Sequence, residues 1–222
     1  MVDVTGITNT LTLTTTQLPK LSTDQIKNLT TAQILGLGTL GVSKLTTDQI
    51  KALTTTQVVA LSTAQVQALG TDQIQAFGTD DVAALKTNQI NALTTLQVSK
   101  FNTDQVVALT TLQVSSLRSD QFGALTTDQI KSMETVDVAA IKTAQISNIS
   151  TDQIQALTTS QIQALTSLAL SSISLTVVSK LKTDQVVALT TSQVQSLTTG
   201  QINSLTTDQL VKLETVDLAS LK

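Results

Sequence analysis

The chain has 222 residues, a formal net charge of -3, no His, no Cys, and three Phe as its only aromatics. The missing His and Cys remove thiol nucleophiles, disulfides, His general bases and the usual zinc ligands. A lone Arg, Arg118, among scattered Lys gives no clustered basic surface for a nucleic acid.

Residues 1–12, "MVDVTGITNTLT", read as an N-terminal cap or partial repeat, a short strand-like piece covering the first apolar layer. They have no basic n-region and no apolar h-region, so they do not read as a signal peptide. Nowhere does an apolar run approach the ~20 residues needed to span a membrane.

From Leu13 the chain is periodic. Stepping by eight from Leu13 to Leu221 lands on a large apolar residue every time, without an insertion or deletion. Numbering the slots of each octad from that residue, slot 6 is also apolar, as at Leu18, Ile26, Ile34, Ile50 and Val58. Slot 3 is Thr almost throughout, slot 5 is Gln in most octads, slot 8 is usually Ala, Ser or Lys, and slots 2, 4 and 7 vary and are mostly polar. The consensus is L-T-T-D-Q-I-x-A. An unbroken period predicts identical structural units stacked on their neighbours, over 13–222 as one octapeptide-repeat solenoid.

A continuous α-helix does not fit, because eight residues advance an apolar stripe by about 80° per octad. A continuous strand does not fit either, because slots 6 and 1 lie three apart and would face opposite ways. A short helix that stops and restarts does fit. In "TDQIKAL" (47–53), Ile50 and Leu53 share a helical face, and Ala52 favours helix. Thr47 can serve as N-cap, with Asp48 in the first turn where the helix dipole favours a carboxylate. Taking Thr46 as N-cap instead makes Gln49 the N3 partner of a capping box. The same options recur in the next octad around Thr55 and Gln57.

Helices this short are unstable alone and must be held by neighbours. The expected fold is therefore an all-α superhelix of very short helices, one per octad. Slots 1 and 6 would fill its axis: Ile50, Leu53, Val58, Leu61, and the three Phe residues Phe77, Phe101 and Phe122. An exposed slot 5 would vary as slots 4 and 7 do. Its constancy assigns Gln49, Gln57 and their equivalents to bridging the orphan carbonyls of one helix end and the orphan N–H groups of another. The alternative is a β-solenoid, favoured by the Thr, Val and Ile content. Against it stand the Ala and Lys of slots 7 and 8 and too few Gly for tight corners.

Two stretches break the pattern. "LGLGTLGVSK" (35–44) places Gly41 in slot 5. "SLALSSISLTVVSK" (167–180) replaces Gln by Ala169 and Val177 and slot-3 Thr by Leu175. Leu168, Leu170, Leu175 and Val177 make it a candidate lateral contact patch, with locally altered packing as the other reading. "METVDVAAIK" (133–142) and "LETVDLASLK" (213–222) lie 80 residues apart, as do two copies of "TDQVVAL" at 103–109 and 183–189. A ten-octad block therefore duplicated as the array grew. The chain stops in mid-phrase at Leu221-Lys222, as a segment of a longer protein or an end-to-end stacking unit would.

Reactive chemistry finds no support. Calcium takes roughly six to eight oxygens, and one intermittent slot-4 Asp per octad does not supply them. Asp80 and Asp81 are adjacent but do not share a face as a catalytic pair. No Ser has a His to activate it, and no phosphate-binding Gly loop occurs. No catalytic, cofactor or metal site is expected. A regular Thr array on a flat β-solenoid face would suggest ice binding; slot-3 Thr spent on helix capping would not be free for it.

The phrase "LTTDQIxAL", at 45–53, 125–133 and 205–213, resembles octapeptide arrays of very large, Thr-rich bacterial proteins that look like secreted or surface-attached adhesins. The resemblance covers 13–222. It implies a structural spacer or scaffold at an extracellular or cell-surface location, with itself or other domains of a longer chain as partners. It carries no catalytic or ligand residues over. The competing expectations are a protein- or glycan-binding solenoid module and a self-assembling filament subunit.

Overall fold

A computed structural model describes residues 14–213. The expected cap at 1–12 and the last phrase, 214–222, lie outside the described residues. After a 3-10 turn at Leu18–Lys20 come twenty-four short α-helices, one per octad, numbered here from α1 (Thr23–Lys27) to α24 (Thr207–Lys212). No strand occurs among the described residues, which removes the β-solenoid alternative.

One octad shows why each helix is so short. In α5 (Thr55–Ala60), the preceding Thr54 is extended at φ -78°, ψ 153°, and its hydroxyl accepts the N–H of Gln57. Gln57 Oε1 in turn accepts the N–H of Thr54 at 2.8 Å, completing a capping box. Six residues later the chain stops. Leu61 donates its N–H to Val58 in a tight last turn, then swings to φ -58°, ψ 135°. That extended conformation delivers Ser62 as the next N-cap. The helix ends because the following slot 2 is already committed to capping its successor.

Slots 1 and 6 lie three apart on one face and are buried together. Ile50 and Val58 are 0 % exposed, and Leu53, Leu61, Phe77, Phe101 and Phe122 are buried with them. A helix this short forms about one turn of backbone bonds and is marginal by itself. Burying its apolar pair against other octads supplies what it lacks, at roughly 1.5–3 kcal/mol per large aliphatic side chain.

The octads cluster into two compact units, Met1–Leu109 and Thr110–Lys222. In the first, α1 packs on α4 (Thr47–Lys51), α2 (Thr31–Gly36) on α5, and α8 (Thr79–Ala84) on α11 (Thr103–Val107). In the second, α12 (Thr111–Ser116) packs on α15 (Thr135–Ala139), α16 (Thr143–Ile146) on α19 (Ser167–Ser171), and α21 (Thr183–Val187) on α24. The rule is the same in each: a helix packs on the one three octads away. Each unit is a solenoid of short helices.

The glycine-rich stretch alters the rule locally. Leu37 stays helical at φ -60°, ψ -25° instead of extending, and Gly38 takes φ +65°. That left-handed conformation is open to Gly without steric cost. It starts α3 (Gly38–Val42) one residue early and leaves Leu37 only half-buried.

Candidate functional site

The polar feature that recurs through both units is the slot-5 glutamine. Gln49, Gln57, Gln65 and Gln73 are buried in the first unit, and Gln145, Gln153, Gln161 and Gln185 in the second. Each uses both ends of its amide. Gln49 Oε1 accepts the N–H of Thr46 at 2.9 Å, while its Nε2 donates to the Leu18 and Leu21 carbonyls, both at 2.8 Å. Gln57 repeats this with Thr54 on one side and Ile26 and Leu29 on the other. In the second unit Gln193 joins Thr190 to Ile162 and Leu165.

The acceptors lie 31 and 28 residues back, at the end of the helix four octads earlier. Helix packing links octads three apart, and the amide links octads four apart. Each turn therefore takes between three and four octads, and each helix rests on two below it. Orphan carbonyls of one helix end and the orphan N–H of another are satisfied by a single side chain.

The cap residue differs from one expectation. Thr47 and Thr55 are not N-caps. The caps are Thr46 and Thr54, one residue earlier, and Thr47 and Thr55 are the first helical residues. Slot 2 caps despite its variability because the Gln half of the box needs only a backbone N–H. Gly70, Lys86, Lys142 and Lys182 have no capping hydroxyl, yet each donates its N–H to the Gln three residues on.

The expected contact patch is also only partly at the surface. Leu168 is 69 % exposed and Leu175 50 %, but Leu170 and Val177 occupy buried slots 6 and 5 and cannot contact a partner. Leu175 is partly covered within its own unit, since a Cβ added at Gly200 would lie 3.2 Å from its Cδ2.

Two carboxylates are buried in slot 5 in place of Gln: Asp81, weighed from sequence only beside Asp80, and Asp137, which the sequence reading passed over. The octad register alone locates them. Each takes a hydroxyl from the slot-3 Thr three octads back: Thr55 donates to Asp81 at 3.0 Å and Thr111 to Asp137 at 2.7 Å. Burial pushes the Asp137 carboxyl above its ordinary value, the Thr111 bond works against this, and the nearby Glu134 carboxylate adds to it. At the surface, Arg118 Nε sits 3.1 Å from Asp120 Oδ1, and its hydrogen bonds hold that carboxyl below the ordinary value. An exposed pair of this kind contributes little to stability.

Among the described residues, no group of three or more acidic, His or Cys side chains is placed to hold a metal ion. No helix there is long and apolar enough to cross a membrane.

A gap-free octad period, one short helix per octad and an internal amide ladder define a tandem-repeat protein whose recurrent slot-5 Gln bonds to its own backbone. The chain belongs to the ALTTAQ repeat family, whose profile matches residues 42–79, 74–111, 98–135, 130–167 and 178–215. The family's six-letter phrase falls on slots 8 and 1–5, as in "ALTTLQ" at 92–97: a helix-end Ala, a core Leu, the N-cap, two first-turn residues and the ladder Gln. No curated protein matches the chain.

Proposed function

We propose that this chain is a non-enzymatic structural array, a spacer or scaffold segment of a bacterial surface or secreted protein. The observation that supports it is where the constant residues spend their chemistry. Slots 1 and 6 fill the core, slot 2 caps, and slot 5 ties one helix to another, as in Gln97, which joins Thr94 to Val66 and Leu69. What remains outward is slots 4 and 7, which vary from octad to octad, and the slot-3 Thr, as at Thr47 and Thr55, whose side chain is small and polar. A recognition surface concentrates aromatic and Arg anchors; the three Phe occupy core slots and Arg118 pairs with Asp120. A spacer needs only a surface that stays solvated while octads are added.

The test is to lengthen and shorten the array by whole ten-octad blocks and measure its maximum dimension by small-angle scattering. A spacer lengthens in proportion to the octads added. A dimension that stays constant as octads are added overturns the reading. The binding-module reading predicts instead that one block captures a protein or glycan while the others do not.

A further inference from the structure

Between Leu117 and Leu181, the amide ladder of the second unit has one double gap. The slot-1 carbonyls there receive a Gln Nε2 from 28 residues ahead: Leu117 from Gln145, Leu125 from Gln153, Met133 from Gln161, Leu157 from Gln185, Leu165 from Gln193, Ile173 from Gln201 and Leu181 from Gln209. Ile141 and Ile149 are the exceptions. By the same register their partners are Ala169 and Val177, whose side chains have no donor. Both isoleucines are buried, and no described residue donates to either carbonyl.

We infer that the layer boundary below α19 and α20 (Leu175–Val178) is a built-in weak seam, where the second unit opens first under heat or tension. Two adjacent missing amides act together because each helix rests on two below it, so no neighbouring Gln spans the gap. The polar contacts made by the upper side point upward. Ser167 Oγ donates to the Ser192 carbonyl at 3.3 Å, Ser196 Oγ donates to the Ser167 carbonyl at 3.2 Å, and Leu175 packs toward Gly200. Across the seam run apolar packing of α16 on α19 and α17 (Thr151–Ala156) on α20, and one exposed bond from Gln155 Nε2 to the Lys180 carbonyl at 2.7 Å. In a stacked array stability is set by nearest-neighbour interfaces, so the weakest interface decides where opening begins. The seam does not depend on the spacer reading; it stands equally if the array binds a partner.

Hydrogen exchange on the full chain tests it. Residues 143–149 and 175–181 flank the seam, whereas 151–165, although α17 also packs on α20, are tied by Gln amides both upward and downward. Protection at 143–149 and 175–181 is expected to be lower than at 151–165 on the order of tenfold. The double substitution Ala169→Gln with Val177→Gln is expected to abolish the difference. Because that variant alters packing, a second one moves the gap: Gln185→Ala with Gln193→Ala should bring 151–165 down to the protection of 143–149. Equal protection in the native chain overturns the seam, and so does a second variant that leaves 151–165 fully protected.

Discussion

The side-chain amide of Gln57 donates to the backbone carbonyl of Leu29 at 2.6 Å, across 28 residues of chain. The same amide's oxygen accepts the N–H of Thr54, three residues away. One side chain thus performs a local task, starting a helix, and a distant one, closing another. The two are inseparable: the box orients the amide, and the orientation aims Nε2 at the layer below.

The cap assignment is open to a paired substitution. Thr46→Ala removes the hydroxyl that accepts the Gln49 N–H at 3.2 Å. It is expected to cost about 1 kcal/mol. Thr47→Ala, one residue later in the first turn, is expected to stay within about 0.5 kcal/mol. Urea unfolding of both variants checks the order; a larger loss at Thr47 would return the cap to slot 3.

Phe122 lies in slot 6 at 0 % exposure, among Ile and Val equivalents. Phe122→Ala is expected to cost about 3–5 kcal/mol, because the layers around it cannot collapse on the space left. Thermal unfolding followed by far-ultraviolet circular dichroism measures it.

Asp137 carries the pH dependence. Its carboxyl is held above the ordinary value when folded, so the folded state binds a proton that the unfolded chain releases first. Stability then falls as pH rises through the interval between the two values, and the ionised form costs stability at neutral pH. Asp137→Asn is expected to melt higher than the native chain at pH 7, with the difference shrinking to nothing as the pH falls below the ordinary carboxylate value. A melting difference independent of pH would contradict this.

Asp81 interrupts the ladder of the first unit in the same slot. Its register partners, Ile50 and Leu53, receive no side-chain donor, and the Leu53 carbonyl has no donor among the described residues. Asp81→Gln restores the consensus and is expected to stabilise by about 1–3 kcal/mol, the cost of leaving a buried acceptor unpaired. Denaturant midpoints of the two proteins decide it.

Most of this fold is legible from period and slot chemistry. The eight-residue spacing of Leu53 and Leu61, each three residues after Ile50 and Val58, excludes a continuous helix or strand and leaves one short helix per octad. The constancy of Gln49 and Gln57 points to a backbone role because an exposed amide would drift. Two things were not legible. The sequence left Thr46 and Thr47 open as the cap; slot-2 Thr46 has the role, and slot 2 can vary because the Gln half of the box tolerates any residue there. The distance to the bridged helix also lies outside the octad: nothing in "LTTDQIKAL" says that Gln49 meets a carbonyl four octads back rather than in the next one.

The donor role of the glutamine is the central claim, and Gln97→Glu isolates it. A Glu keeps the oxygen that accepts the Thr94 N–H but, when ionised, turns an acceptor toward the Val66 and Leu69 carbonyls that Gln97 Nε2 now meets at 3.1 and 2.7 Å. Melting temperature as a function of pH is the measurement. A large loss at pH 7 is expected, recovering as the pH is lowered and the carboxyl takes up a proton it can donate. A variant that melts with the native chain at neutral pH would contradict the ladder.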